Sequence, residues 1–292
     1  MDADYFIKQL LNGLAAGSIY ALMAVGYNMV YGILELINFA HGDILMFGTF
    51  IVLSLLMAHI PWPIAIFLAC LAGGLIGVFA ERVAYRPVRN APRVVPMISA
   101  VGVALVLRNA AQLIWGTETM PFPEIFPTRM IEIGDIKINS LQIIILVLAL
   151  SLTGIFSLLV NKTKLGKATR SVAQDIPASK LMGIEVNRII QIVYLAGGFF
   201  GVAGGILFSS YYAVWIGMGF LATMKAWIAS IIGGIGSLKG ALVGGLLLGV
   251  AEALISGYIS SAYRDAIAYG IVMVVLVVRP QGIFGRHIAE KV

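Results

Sequence analysis

Four polar side chains stand within nine residues of an otherwise apolar stretch: Glu35, Asn38, His41 and Asp43, in the run ELINFAHGD. Ionisable groups at membrane depth are costly unless they pair, sit at the interface or line a wet cavity. The run therefore reads either as a plain turn at a membrane face or as a broken helix lining a solute path. The second form is tolerated only where protein or water covers the freed backbone. A second interruption, GGIGSLKGALVGGLLLGVAEA from Gly233 to Ala253, has the same character near the other end of the chain. Gly234 and Gly236 break the apolar run there, and Glu252 stands as an isolated carboxylate inside the helix that follows. Paired breaks in opposite halves point to a transport pathway. Glu252 reads either as a protonated structural group or as the partner of a cation such as Arg108, itself embedded in VGVALVLRNAAQLIW.

Covalent chemistry finds no support. Residues 165–169, LGKAT, hold a Gly-Lys pair but lack the earlier glycine of a phosphate-cradling G-x-x-x-x-G-K-[ST] loop, so any nucleotide hydrolysis must come from a partner. His41, His59 and His287 are far apart in sequence and offer no ligand or triad spacing, so no catalytic residue, metal site or cofactor is expected. Cys70, the lone cysteine, lies in an apolar stretch and reads as a small packing residue.

A third chemical feature is a polar island. Residues 162–188, KTKLGKATRSVAQDIPASKLMGIEVNR, carry six Lys/Arg and two Asp/Glu between long apolar blocks. Within it Asp175 favours a helix start, Pro177 fits a first turn and Gly183 ends the short helix between them. Ala178, Leu181 and Met182 give that helix an apolar face beside Lys180. So short a helix calls for something to hold it, although a solvated connector has the same composition.

The elements that must carry these groups follow from composition. Hydrophobic residues make up 60% of the 292, charged residues only 12%, and the mean hydropathy is +0.97, which excludes an ordinary soluble domain. The formal charge of +6 does not mark a nucleic-acid binder. Thirteen of the 20 Lys/Arg fall in 81–95, 162–188 and the tail after Val278, a clustering that belongs to cytoplasmic loops. Apolar spans are expected near 11–33, 43–60, 62–80, 96–115, 141–160, 189–213, 240–257 and 265–279. A ninth piece, 222–237, either crosses or re-enters. Placing the basic segments inside leaves 116–140 outside, where Glu118, Glu124, Glu132 and Asp135 face only Arg129 and Lys137. If 222–237 crosses, the N-terminus lies outside. The opening MDADYFIKQ is acidic, unlike a signal peptide, so the first span is expected to stay. Glycines four apart, such as Gly13 and Gly17 or Gly197, Gly201 and Gly205, predict closely packed helices. The fold class is thus all-α: a polytopic transmembrane helical protein of about eight or nine spans with broken or re-entrant helices, a single domain over 1–292 with a cytoplasmic loop at 162–188.

Three segments, GYNMVYGILELINFAHGDILMFG (26–48), LGKATRSVAQDIPASKLMGI (165–184) and IIGGIGSLKGALVGGLLLGVAEAL (231–254), together resemble the LivH-type permeases of bacterial branched-chain amino acid ABC importers. The similarity runs nearly end to end and includes the closing RPQGIFG (279–285). It implies a permease subunit of the bacterial inner membrane with no ATPase activity of its own. The implied partners are a second related permease subunit, two cytoplasmic ABC ATPases and a periplasmic amino-acid-binding protein, with membrane lipid around it and no nucleic acid. It also implies that Gly166, Arg170, Asp175, Ala178 and Gly183 belong to a coupling segment seated on an ATPase, with Arg170 and Lys180 adding charge pairs at its rim. Alternatives are a urea or amide permease of the same importer group and an ion-coupled secondary transporter using Glu252.

Overall fold

A computed structural model describes residues 3–34, 36–133 and 136–285. Eleven α-helices and one β-hairpin make up its regular structure, with a π-helical turn and a 3-10 turn. In chain order the helices are α1 (Ala3–Leu34), α2 (His41–Met57), α3 (Trp62–Ala80, continued by the π turn Glu81–Tyr85), α4 (Val94–Trp115), α5 (Ser140–Lys162) and α6 (Lys164–Gln174). They continue as α7 (Ile176–Leu181), α8 (Val186–Tyr211), α9 (Met218–Gly233), α10 (Leu238–Tyr258) and α11 (Arg264–Val278). The hairpin pairs β1 (Met130–Ile133) with β2 (Ile136–Asn139) in the loop between α4 and α5. All nine apolar stretches expected from the sequence are helices. Seven are long and apolar enough to cross a membrane, and α2 and α9 are shorter.

The centre of the bundle is α1, 32 residues and roughly 48 Å long. It packs against α10, α8, α5 and α9. Glycine makes the closest of these contacts possible: a Cβ on Gly13 would stand 2.6 Å from the Val250 Cα, and one on Gly17 would stand 2.8 Å from the Gly245 carbonyl oxygen. Lipid supplies no hydrophobic drive between helices, so this close backbone approach supplies the packing instead.

The two ends of the chain repeat one arrangement in opposite senses. Helix α1 packs on α10 as α3 packs on α8; α2 packs on α8, α3 and α4 as α9 packs on α1, α10 and α11. Helices α1–α4 and α8–α11 thus form an inverted pair of four-helix units, with α5–α7 as the connection. In each unit the second helix is short and begins inside the bundle. After α1 the chain turns back through the non-helical 36–40, and after α8 through 212–217. The N-terminal ends of α2 and α9 then meet: a Cβ on Gly219 would stand 2.6 Å from the Gly42 carbonyl oxygen and 3.1 Å from the Asp43 nitrogen.

The break expected within Gly233–Ala253 takes a different form. Gly234 and Gly236, at φ +107° and +82°, make the tight turn between α9 and α10 at the end of the bundle. The non-helical entry matching 36–40 is 212–217. Arginines and lysines gather at one end of the bundle, around 82–93 and 162–170, and the hairpin loop lies at the other.

Candidate translocation and coupling sites

The first site is the entry to α2. Asn38 Oδ1 accepts from the Ala40 backbone N–H at 3.1 Å and from the Tyr85 hydroxyl at 3.0 Å, so one buried side chain both shapes the re-entrant turn and ties it to the end of α3. His41, buried at the first position of α2, lies in a slot cut by two glycines. A Cβ on Gly201, in the middle of α8, would come 3.1 Å from its Cε1, and one on Gly26 of α1 would come 3.4 Å from it. The Tyr27 ring meets the imidazole edge-on at 6.0 Å. Among the described residues neither His41 Nε2 nor the Tyr27 hydroxyl has a hydrogen-bond partner. Asp43, two residues on, receives Arg108 in a fork of 3.1 and 3.2 Å, joining α2 to α4. Glu35 lies outside the described residues.

The second site corrects an expectation. Glu252 does not pair with Arg108, because α10 packs against α9 and α11 while α4 lies against α2. Its partner is Lys225 of α9, a lysine with 2% of its side chain exposed. Lys225 Nζ donates to Glu252 Oε1 and, at 2.6 Å, to Asp265 at the start of α11. The Tyr20 hydroxyl of α1 donates to Glu252 Oε2 at 3.0 Å, and Arg264 stands 3.5 Å from Asp265. The sequence reading missed Lys225. Its signal was present, since a lone lysine in an apolar helix followed by a carboxylate one helix later calls for a pair.

Gly234 and Gly236 are held by two clamps. Asn28 of α1 accepts from the Gly236 N–H at 3.3 Å and donates to the Ser237 carbonyl at 3.3 Å. The tail after α11 returns to cap α9, with Ile283 N–H donating to Ile232 O at 3.0 Å and Phe284 N–H to Gly233 O at 2.8 Å. These bonds satisfy carbonyls that a helix end otherwise leaves unpaired.

The polar island folds as two helices, α6 and α7, where the sequence indicated one. Thr163 caps α6 by accepting from Gly166 N–H at 3.0 Å. Gly166 is buried so tightly against the Val160 carbonyl that no side chain fits, and Arg170 donates to the same carbonyl. Asp175 caps α7, accepting from Ala178 N–H at 2.8 Å, with Pro177 in the first turn. Gly183, at φ +78°, ends it as expected. A Ser171–Ser179 hydroxyl pair at 2.9 Å fixes α7 against α6. Ala178 and Lys180 are exposed, and so are the apolar Leu181 and Met182, at 89% and 81%. A helix this short is anchored firmly on one side and left bare on the other. Among the described residues no group of three or more His, Cys, Asp or Glu is placed to hold a metal.

A family model for the permease component of branched-chain amino acid transport systems matches residues 9–277. The chain belongs to this permease family. The permease is 37% identical to the high-affinity branched-chain amino acid transport system permease protein LivH of Salmonella typhimurium, over 99% of this chain and 98% of that protein. Over the same shares it is 39% identical to BraD of Pseudomonas aeruginosa, which bears the same description. A more distant relative, the ribose import permease protein RbsC of Haemophilus influenzae, is 23% identical over 95% of this chain and 86% of that one. No solved structure gives a significant match. As a family member with seven long apolar helices, the permease is a multi-pass membrane protein.

Proposed function

We propose that the permease is one membrane subunit of an ATP-driven importer in a bacterial inner membrane, passing branched-chain amino acids from a periplasmic binding protein to the cytoplasm. The near full-length match to LivH and BraD carries this reading. A second related permease subunit completes the pore and two ABC ATPases drive it. The ATPase seats on α6 and α7: Leu181 and Met182 supply the apolar contact, Ala178 leaves room for it, and Arg170 and Lys180 steer the approach. Because the Asp175 cap and the serine pair hold α7 to α6, and Gly166 seats α6 on α5, closure of the ATPases moves the segment as a lever rather than bending it. At the other end of the lever α6 packs on α1, α5 and α8. The re-entrant helices α2 and α9 make the centre of the path, with Asn38, His41 and Asp43 at its first turn. A zwitterionic solute passing such a path needs few fixed charges, because a deep site slows release.

Glu252 speaks against the ion-coupled alternative, since Lys225 and Tyr20 already occupy both of its oxygens. The test is purification of the tagged permease in mild detergent, comparing the wild type with Asp175→Lys/Ala178→Glu. Retention of a nucleotide-binding ATPase by the wild type and its loss from the variant is the expected result. If neither chain brings down an ATPase, the importer reading is wrong.

A further inference from the structure

Helix α11 is the least buried of the long apolar spans, with 11% of its apolar window inside the bundle, yet it is tied to the re-entrant helix α9 at both ends. At the basic end the tie is backbone: the tail residues Ile283 and Phe284 donate to the last carbonyls of α9. Gly282, at φ +72°, presses so closely on Gly234 that a Cβ would meet its Cα at 2.6 Å. At the opposite end the tie is ionic, Lys225 to Asp265 at 2.6 Å.

The ionic tie differs from an ordinary buried pair because each partner has a second one in place. Lys225, 2% exposed, keeps Glu252, whose other oxygen is held by Tyr20. Asp265, with 46% of its side chain exposed, keeps Arg264 at 3.5 Å. Parting Lys225 from Asp265 therefore strands no buried charge, whereas parting Lys225 from Glu252 leaves a buried carboxylate with only the neutral Tyr20 hydroxyl. The network has one permanent arm and one releasable arm, and the releasable arm leads to the most loosely packed span.

We propose that Lys225 and Asp265 form a gate latch for transport: α11 pivots on its glycine-rich tail at the basic end and swings from α9 at the other when the Lys225–Asp265 contact opens, while Lys225 stays neutralised by Glu252. Both are positioning residues; neither touches the solute in this role. The proposal rests on the importer reading above and deepens it by naming the element that moves.

The test uses the complete importer, permease with its companion subunits and binding protein, in proteoliposomes. Leucine uptake and ATP hydrolysis are measured together for wild type, Asp265→Asn, Asp265→Glu and Arg264→Gln. With Asp265→Asn the latch no longer holds. Hydrolysis without binding protein is expected to rise threefold or more, and leucine moved per ATP to fall threefold or more. Asp265→Glu restores the ion pair and keeps the wild-type ratio within twofold. Arg264→Gln removes the standby partner, so the latch opens less readily: uptake slows twofold or more with leucine per ATP unchanged. An unchanged ratio in Asp265→Asn overturns the proposal, and so does failure of that variant to assemble, which would make the pair structural. A wild-type complex that hydrolyses ATP without moving leucine would sink the substrate reading instead, and the two failures are distinct.

Discussion

Removing Lys225 alone should be far worse than removing the whole polar group around it. Lys225→Met leaves Glu252, 3% exposed, with the Tyr20 hydroxyl at 3.0 Å as its one hydrogen-bond partner among the described residues. An uncompensated charge in such a place costs about 3–5 kcal/mol. Asp265 adds less to that figure, because it is half exposed and Arg264 remains beside it. Lys225→Met/Glu252→Met removes both buried charges and takes the carboxylate acceptor from the Tyr20 hydroxyl, at about 1–3 kcal/mol. Adding Tyr20→Phe removes that as well, so the triple variant should return to within about 1 kcal/mol of wild type if three apolar groups fill the volume. Titration of each variant with dodecyl sulfate in mixed micelles, followed by tryptophan fluorescence and circular dichroism, reads these differences. The expected order is wild type and triple together, double below them and single lowest. A double variant no more stable than the single would refute the reasoning, since the penalty would then come from lost packing rather than a stranded carboxylate.

Other consequences can be measured in the same way. Gly201→Ala puts a methyl 3.1 Å from His41 Cε1 and 3.3 Å from Nε2, with Gly26 closing the far side of the slot, and should destabilise by about 1–3 kcal/mol. Gly154→Ala on α5, where nothing lies within 4 Å of the new methyl, should be neutral or stabilise by about 0.4–1 kcal/mol in the same titration. Asp175→Ala removes the cap of α7, worth about 1 kcal/mol locally, and should lower ATP-coupled uptake while leaving global unfolding unmoved; equal loss in both would contradict the lever. Asp43→Asn breaks the fork to Arg108 and should lower stability by about 1–3 kcal/mol in the same titration.

What could be read from the chain divides by the range of the interaction. Asp175, Pro177 and Gly183 were legible because capping, ring constraint and positive φ act within a few residues. The nine apolar stretches were legible because the bilayer imposes a length. The partner of Glu252 was not, since hydropathy fixes how deep a residue lies and says nothing of which helices are neighbours. Arg108 and Lys225 are both intramembrane cations, and only the packing of α10 on α9 decides between them. The second re-entrant entry was hidden for another reason. Its residues, YAVWIG at 212–217, are apolar and aromatic, so they carry no polar interruption, and burial within the protein satisfies the broken backbone instead: Val214 exchanges both backbone bonds with Met120 of the hairpin loop. The glycine-rich 233–236 run gave the stronger local signal and proved to be an ordinary turn at the bundle end.

The inverted halves share an architecture and differ in chemistry at one comparable place. In each, the short helix that begins inside the bundle is bonded by a charge to the fourth helix of its unit: Asp43 on α2 to Arg108 on α4, Lys225 on α9 to Asp265 on α11. The signs are reversed, and the consequences follow from the surroundings. Asp43 is 1% exposed and Arg108 is its one ion-pair partner among the described residues, so opening that contact strands a buried carboxylate. Lys225 has two anions, and opening its contact with Asp265 strands no buried charge. An alternating mechanism needs one rigid frame against which another part moves. The α2–α4 contact suits the frame and the α9–α11 contact suits the moving part, so a nearly symmetric fold can carry a motion confined to one of its halves.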